Sequence, residues 1–236
     1  MKIINLWSGP RNISTAVMYS FAQRKDTKVI DEPLYGNYLR VTGLNHPGRG
    51  EIMDTVNCDG NDVIKKLFNE KFDKNILFLK QMAHHLREVD QSFVLDTQNV
   101  FLIRDPREVI ASLINQLPQP TLRDTGLDIQ YDLFKNLRMK CRDPIVMDSK
   151  RLLMNPKKIL KLLCKRLSIP YSNFMLNWEK GPIKEDGIWA KYWYHGVHNS
   201  EGFLPYKKKK YFPDKFNDLE NQCQTYYKSL LKHALE

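Results

Sequence analysis

Basic and hydroxyl side chains that could bind one anion follow an apolar run near the middle of the chain. Residues 100–103 are apolar, as in a buried strand, and the next segment opens with Arg104 and ends at Ser112. Pro106 suits the first turn of a helix, so we expect a strand to lead into a helix here. An arginine at the strand end and a serine two helical turns later can converge on a single anion. This segment therefore predicts an anion-binding junction.

The N-terminal turn has the same order of strand and helix and a similar set of side chains. Residues 2–7 predict a strand, and residues 14–24 predict a helix with Ser14 as a possible N-cap. Free N–H groups and the helix dipole at such a turn favour a phosphate group. Ser14 and Thr15 can add hydroxyl donors, and Arg11 can add a charged fork. The alternative is an ordinary strand–helix turn with a serine cap.

This turn is not a Walker A loop. Gly9 fits the first glycine of that motif, but Ser14 stands at the position of the second glycine and Thr15 at that of the lysine. Without the lysine, a β- or γ-phosphate would be poorly held. The turn therefore argues against hydrolysis of ATP or GTP.

A candidate carboxylate for proton transfer follows a second strand-like run. Residues 28–30 predict a short strand, and Asp31 and Glu32 come directly after it. A carboxylate at that edge could act as a general base, and we prefer Glu32, with Asp31 as the alternative. A turn carboxylate that caps a helix or pairs with a lysine is the other interpretation.

Two histidines follow a third strand-like run, residues 76–79. His84 and His85 are further candidates for the base, since histidine titrates near neutral pH. If this segment is helical, the spacing places Lys80 and His84 on one helix face. Solvation of one histidine and core packing of the other is the alternative.

Alternating strand-like and helix-like segments must position these groups. Further strands are predicted at 93–95 and 144–148, further helices at 62–70, 106–117, 128–141, 155–167 and 214–235, and a loop at 39–60. This alternation predicts an α/β fold, a three-layer sandwich in which helices flank a central, mostly parallel sheet. The chain shows no internal repeat and no low-complexity linker, so we expect residues 1–236 to form one domain.

The bulk composition narrows the class of protein. The chain has 236 residues and a net charge of +10, which favours anionic ligands, while no nucleic-acid-binding motif is present. The four cysteines lie far apart and have no metal-ligand spacing, so neither a zinc site nor a disulfide framework is expected. No apolar run reaches the ~20 residues of a membrane helix. We expect a soluble, cytoplasmic protein that binds neither nucleic acid nor membrane.

Three motifs, in this order, resemble the sulfotransferase superfamily, P-loop-related enzymes that use 3′-phosphoadenosine 5′-phosphosulfate (PAPS). The first motif is Pro10-Arg11-Asn12-Ile13-Ser14-Thr15, and the second is Arg104-x-Pro106 followed by Ser112. The third is the segment 148–156 with the leucine-rich stretch and Leu167-Ser168-Ile169-Pro170 that follow it. The resemblance covers residues 2–32 and 100–170.

The resemblance implies a P-loop NTPase-like fold and transfer of a sulfuryl group from PAPS to a hydroxyl or amine, with release of PAP. Arg104 and Ser112 would bind the 3′-phosphate. Glu32, or one of His84 and His85, would supply the base, and no metal is expected. The 5′-phosphosulfate would lie on the first motif, with Arg11 beside the bridging oxygen; the contacts there would come from Gly9, Arg11, Asn12, Ser14 and Thr15.

One departure from the family pattern falls in the first motif. Asn12 and Ile13 replace the family's glycine; asparagine tolerates a positive φ, but a β-branched isoleucine does not readily adopt one. The loop could therefore be altered, or the protein could bind a nucleotide without turning it over. A small-molecule kinase on the same scaffold is a further alternative, disfavoured by the missing Walker lysine.

The late part of the chain offers groups for the acceptor side. The acceptor, a small molecule or carbohydrate, is expected to contact the loops at 33–60, 117–130 and 178–205. The aromatic run 189–195 could line a pocket or belong to the core. The run Lys207–Lys210 could close over the 3′-phosphate, as a basic late loop does in sulfotransferases, or be a solvated surface.

Overall fold

Five parallel strands form one central sheet in the computed structural model, which describes residues 1–208 and 211–236. The strands are β1 (Lys2–Ser8), β2 (Thr27–Asp31), β3 (Ile76–Met82), β4 (Gln98–Ile103) and β5 (Ile145–Asp148). Their order across the sheet is β2-β3-β1-β4-β5, and all neighbouring pairs are parallel.

Helices cover both faces of this sheet. The α-helices are α1 (Ser14–Ala22), α2 (Tyr35–Thr42), α3 (Arg49–Thr55), α4 (Gly60–Asn69), α5 (Pro106–Leu113), α6 (Leu122–Thr125), α7 (Leu127–Met139), α8 (Ser149–Met154), α9 (Pro156–Arg166), α10 (Ala190–Trp193), α11 (His195–His198) and α12 (Asn217–Leu231). Short 3-10 helices lie at Ala83–His85, Ser92–Asp96, Asn173–Leu176 and Asp214–Phe216. No helix among the described residues has the length and apolar character needed to span a membrane.

The alternation of side chains along each strand explains the three layers. Leu6 and Leu102 face a core that contains residues of α1, α8 and α9. Trp7 and Phe101, their neighbours in sequence, face a second core that contains residues of α7 and α12. Because successive side chains of a strand point to opposite faces, a continuous apolar run needs cover on both sides. The predicted three-layer α/β fold is confirmed.

The carboxyl ends of the strands meet at one edge of the sheet. Ser8 is in register with Met82 of β3 and with Leu102 of β4, and Asp31 is in register with Lys80. β1 lies between β3 and β4, so the strand order reverses around it. Ligands of open α/β sheets bind in the crevice at such a switch point.

Two local predictions were wrong. Residues 93–95, predicted as a strand, belong to the 3-10 helix Ser92–Asp96, where Phe93 packs beside Trp7 with ring centroids 6.3 Å apart. The predicted loop at 39–60 contains the end of α2 and all of α3. Its glycines punctuate helices, since α2 ends before Gly43 and α3 begins after Gly48, both with positive φ. The single-domain assignment of residues 1–236 stays a prediction.

Candidate functional site

The turn between β1 and α1 presents a row of backbone N–H donors that make no hydrogen bond within residues 1–208 and 211–236. The N–H groups of residues 11–16 have no acceptor among the described residues. Ser14 and Thr15, which form the first turn of α1, likewise make no side-chain hydrogen bond within the described ranges. The first N–H groups of a helix have no partner inside the helix, and its dipole favours negative charge there. This turn can therefore hold an anion such as a phosphate.

The turn adopts its shape without a glycine at the expected place. Ile13 precedes α1 in a left-handed conformation with φ 62°, and Arg11 also has φ 62°. The expectation that isoleucine avoids this region was wrong here, and so was Ser14 as the N-cap, since α1 starts at Ser14 itself. Such a backbone costs on the order of 1–3 kcal/mol per residue, and strain of this kind clusters at functional sites. Packing of the Ile13 side chain against the core offsets part of this cost.

Asn12 fastens the turn to the sheet. Its side-chain Nδ2 donates to the Leu102 carbonyl at 3.0 Å, and its own carbonyl accepts from Ser149 Oγ at 3.0 Å. The side chain is only 1% exposed. The buried side chain holds the turn in place, and the predicted contact of Asn12 with the nucleotide stays a prediction that its backbone N–H could fulfil.

Gly9 is required by packing. A Cβ at this position would lie 1.9 Å from the Thr125 carbonyl oxygen. The Gly9 N–H donates at 3.1 Å to the side-chain oxygen of Gln130, in the amide orientation that also lets Gln130 donate to Leu102 and Trp7. These contacts explain the glycine, and the predicted contact between Gly9 and the nucleotide stays a prediction.

Arg11, Arg104 and Ser112 come together at the edge of the sheet. Arg11 Nε donates to Ser112 Oγ at 2.8 Å, and Arg104 Nη1 donates to the Arg11 carbonyl at 2.6 Å. Partial burial and then the charge of Arg104 lower the pKa of the Arg11 guanidinium. The Arg11 side chain therefore lies with the second motif, while its predicted contact with the 5′ end of the nucleotide stays a prediction. Two adjacent guanidinium groups and a hydroxyl form an anion site.

A buried charge network lies beside this region, at the ends of β2 and β3. Lys80 is 1% exposed, and its Nζ donates to Asp31 Oδ1 at 2.9 Å and to Tyr194 Oη at 2.6 Å. Asp31 also accepts from the Tyr194 hydroxyl at 2.8 Å and from the Gly187 N–H at 3.1 Å. Three donors satisfy the Asp31 carboxylate, so Asp31 acts as the fixed counter-ion of Lys80.

Glu32 is the accessible carboxylate of this network. Lys80 binds its Oε1, whereas its Oε2 makes no hydrogen bond in the part of the chain described and lies 4.0 Å from His85 Nδ1. The Glu32 side chain is 12% exposed, against 1% for Asp31. Burial raises the pKa of Glu32; Lys80 opposes this rise and Asp31 adds to it. Glu32 also has φ 38°, an unfavourable backbone conformation that is typical of functional positions.

The two histidines lie in a cluster of aromatic rings next to Glu32. His85 stacks between Tyr35 and Tyr38, with ring centroids 5.0 and 4.5 Å apart. Burial, mainly, lowers the pKa of His84 to about 4 and that of His85 well below its ordinary value. Both rings are therefore neutral and weakly basic near pH 7. The sequence left open a helix with Lys80 and His84 on one face, and this alternative was wrong. Lys80 lies in β3, and His84 lies in the 3-10 helix Ala83–His85.

Sequence reasoning missed the roles of Tyr194, Gln130 and Glu108. Tyr194 lies in the aromatic run 189–195, but no sequence signal connects it to Lys80, 114 positions earlier in the chain. Glu108 lies four residues after Arg104, and this spacing on a helix could have been used to predict their ion pair at 3.0 Å. Of the run Lys207–Lys210, the first two lysines are exposed, and the last two lie outside the described residues.

Comparison with known proteins identifies a protein family that matches nearly the whole chain. A family profile described as a sulfotransferase domain matches residues 1–234. Two Arabidopsis thaliana proteins, branched-chain-amino-acid aminotransferase-like proteins 2 and 1, are 35% and 36% identical over 235 residues. These matches cover 99% of this chain but 42% of each relative, so the chain spans less than half the length of these relatives.

Solved structures share the fold at low sequence identity. The sulfotransferase domain from the curacin biosynthetic pathway is 15% identical with a TM-score of 0.58, and the match covers 100% of this chain and 99% of that one. A sulfotransferase from Alicyclobacillus acidocaldarius is 11% identical with a TM-score of 0.57, covering 100% and 97% of the two chains. Both confirm the P-loop NTPase-like fold class that the sequence motifs implied.

Proposed function

We propose that this chain, which belongs to the sulfotransferase family, transfers a sulfuryl group from PAPS to a hydroxyl or amine of a small-molecule or carbohydrate acceptor. One observation carries the proposal. An anion-binding turn without a Walker lysine lies at the same sheet edge as Glu32, a carboxylate whose pKa burial raises. A sulfuryl transferase needs both an anion cradle and a base, and needs no metal for this step.

The turn at residues 11–16 would hold the 5′-phosphosulfate end of the nucleotide. Its free N–H groups and the dipole of α1 would stabilise the negative charge that develops on the phosphate oxygen as it leaves. The hydroxyl groups of Ser14 and Thr15 would add two donors. These groups are fixed by the fold before the ligand binds, and such preorganisation is the main source of electrostatic catalysis.

Arg104, Arg11 and Ser112 would bind the 3′-phosphate, which distinguishes PAPS from ATP. The bond between Arg11 Nε and Ser112 Oγ places both donors within reach of a single phosphate group. An anion there would also relieve the repulsion between the two guanidinium groups. Arg11, proposed from the sequence for the 5′ end, is thus reassigned to the 3′ end.

Glu32 would accept the proton of the acceptor. The acceptor oxygen or nitrogen forms a bond to sulfur, the bond between sulfur and the bridging phosphate oxygen breaks, and PAP leaves. Glu32 is favoured over Asp31 because its Oε2 has no hydrogen-bond partner among the described residues, and over His84 because a pKa of about 4 makes that imidazole a weak base. General bases work best when their pKa lies close to the working pH.

Isothermal titration with PAP tests this proposal without knowledge of the acceptor. We expect the wild type to bind PAP at low salt and Arg104→Ala to bind it roughly tenfold to 100-fold more weakly, since a hydrogen bond to a charged group is worth about 1.5–3 kcal/mol. Arg142→Ala, which removes an exposed arginine, is the matched control. No PAP binding by the wild type would refute the proposal, and equal binding by Arg104→Ala would refute the phosphate assignment.

We also propose a cytoplasmic location. All four cysteines are free thiols in the described structure, as is usual in a reducing compartment.

A further inference from the structure

A buried carboxylate lies inside the cationic site that we assign to the 3′-phosphate. Glu108, on the first turn of α5, is 7% exposed. Its Oε2 accepts from Arg104 Nε at 3.0 Å, and its Oε1 accepts from the Tyr206 hydroxyl at 2.5 Å. A carboxylate repels a phosphate group, so its presence here needs a compensating role. Both of its oxygens hold donors, which suggests that Glu108 orients them.

Tyr206 brings the late part of the chain to this carboxylate. Burial, and then the hydrogen bond to Glu108, raise the pKa of the Tyr206 phenol to about 12, so the hydroxyl stays protonated and donates. Lys150 Nζ lies 5.4 Å from the centroid of the Tyr206 ring. Lys150 is exposed and forms no salt bridge with any described residue. The ring thus lies between a buried carboxylate and an available cation.

The arrangement also leaves part of the Arg104 guanidinium open. Its Nε is held by Glu108 and its Nη1 by the Arg11 carbonyl, whereas its Nη2 has no partner in the described part of the chain. A guanidinium that is fixed on two sides cannot rotate freely, so it loses less entropy when a phosphate binds to its remaining donors.

We propose that Tyr206 is a positioning residue for the 3′-phosphate of the nucleotide, an inference that rests on the proposed function. By holding Glu108, Tyr206 keeps Arg104 oriented toward the phosphate, and its ring keeps Lys150 at the same site. Lys150 is the second residue of α8, which follows β5 directly at the edge where the strands end. Tyr206 therefore contributes to the preference for nucleotides that carry a 3′-phosphate.

A comparison of two nucleotides tests this role directly. PAP and AMP differ by the 3′-phosphate, so a residue that acts on this group must affect only PAP. We expect Tyr206→Phe to weaken PAP binding about threefold to tenfold, because the lost hydrogen bond acts on the phosphate only through Glu108 and Arg104, and to leave the Kd of AMP unchanged. Tyr211→Phe makes the same chemical change at a residue that is 78% exposed on the same segment, and serves as the control.

The result distinguishes this inference from the function on which it rests. Equal PAP affinities of Tyr206→Phe and the wild type would overturn the inference, as would equal losses for PAP and AMP. If the wild type itself does not bind PAP, the proposed function fails and the inference fails with it.

Lys150→Met supplies an independent measurement. We expect weaker PAP binding and a smaller dependence of the PAP Kd on salt, since one screened charge is removed. Lys158→Met, at an exposed lysine on α9, is the matched control. In a Tyr206→Leu background, which also lacks the ring that holds Lys150, the effect of Lys150→Met should shrink because the two residues act together. Full additivity of the two losses would contradict the shared role.

Discussion

Replacement of Lys80 by methionine would leave two carboxylates without their cation. Lys80 is 1% exposed and binds Asp31, Glu32 and Tyr194 at the ends of β2 and β3. Methionine fills a similar volume but carries no charge, so the variant tests the ion pairs more than the packing. Removal of one partner of a buried ion pair costs about 3–5 kcal/mol, because the remaining charge stays buried.

This loss should depend on pH in a defined direction. Without Lys80, the pKa of Glu32 rises further above its ordinary value in the folded state, because burial already raises it and the cation that opposes this rise is gone. A carboxyl group whose pKa is higher in the folded state than in the unfolded state destabilises the fold at pH values at which it must ionise. At pH values below the pKa that the carboxyl groups have in the unfolded chain, they are protonated in both states, and the variant loses little stability relative to the wild type. At pH values above the pKa that they have in the folded variant, the loss of stability is fully present.

Urea unfolding of the variant and the wild type at about pH 5 and about pH 8 measures this difference. We expect the difference in the free energy of unfolding between the wild type and Lys80→Met to be larger at the higher pH. Adding Asp31→Asn to the Lys80→Met variant should recover part of the lost stability. Lys158→Met should show no gap at either pH, since that lysine is exposed. A gap of equal size at both pH values would refute the view that Lys80 compensates the two carboxylates.

Two further predictions concern the base and the N-terminal turn. Glu32→Gln should lower the rate of sulfuryl transfer from PAPS by about 100-fold or more and leave the Kd of PAP within about twofold. It should also remove the acidic limb of the pH–rate profile. A variant whose rate still falls at low pH would show that another residue is the base. In the wild type the limb should lie above the ordinary pKa of glutamate, because burial raises the pKa of Glu32 and the base works only when ionised. Gly9→Ala should destabilise the fold by about 3 kcal/mol in thermal unfolding, because the added Cβ would lie 1.9 Å from a carbonyl oxygen. Gly50→Ala, which meets nothing within 4 Å, should be neutral or stabilising, and equal effects of both would contradict the packing role.

The strands and the second motif could be predicted because their signals are local. An apolar run such as residues 100–103 must be buried on both faces, and a helix that starts at Pro106 then carries Ser112 back toward the strand end. The fold class follows from the same alternation of strands and helices. The helix α3 was missed because its glycines indicated a loop, whereas Gly43 and Gly48 mark the limits of helices.

The partners of individual side chains could not be predicted in the same way. Tyr194 reaches Lys80 only because α10 folds over the ends of β2 and β3, a contact set by tertiary packing. The direction of the Arg11 side chain likewise depends on the positive φ of Arg11, which the neighbouring residue types do not predict. Local propensity cannot identify contacts that depend on how distant elements pack.

The turn between β1 and α1, proposed above to bind an anion, shows how a loop can reach a left-handed conformation without a glycine. A glycine would reach the left-handed region without strain, but it would also leave the loop freer before a ligand binds. Here Ile13 takes that conformation while its side chain packs on the core, and Asn12 ties the turn to β4 and α8. The strain is thus balanced by contacts that fix the backbone. A turn held in this way presents its N–H groups in one orientation, so less entropy would be lost if the proposed phosphate binds there. The replacement of glycine by Asn12 and Ile13 is therefore compatible with turnover.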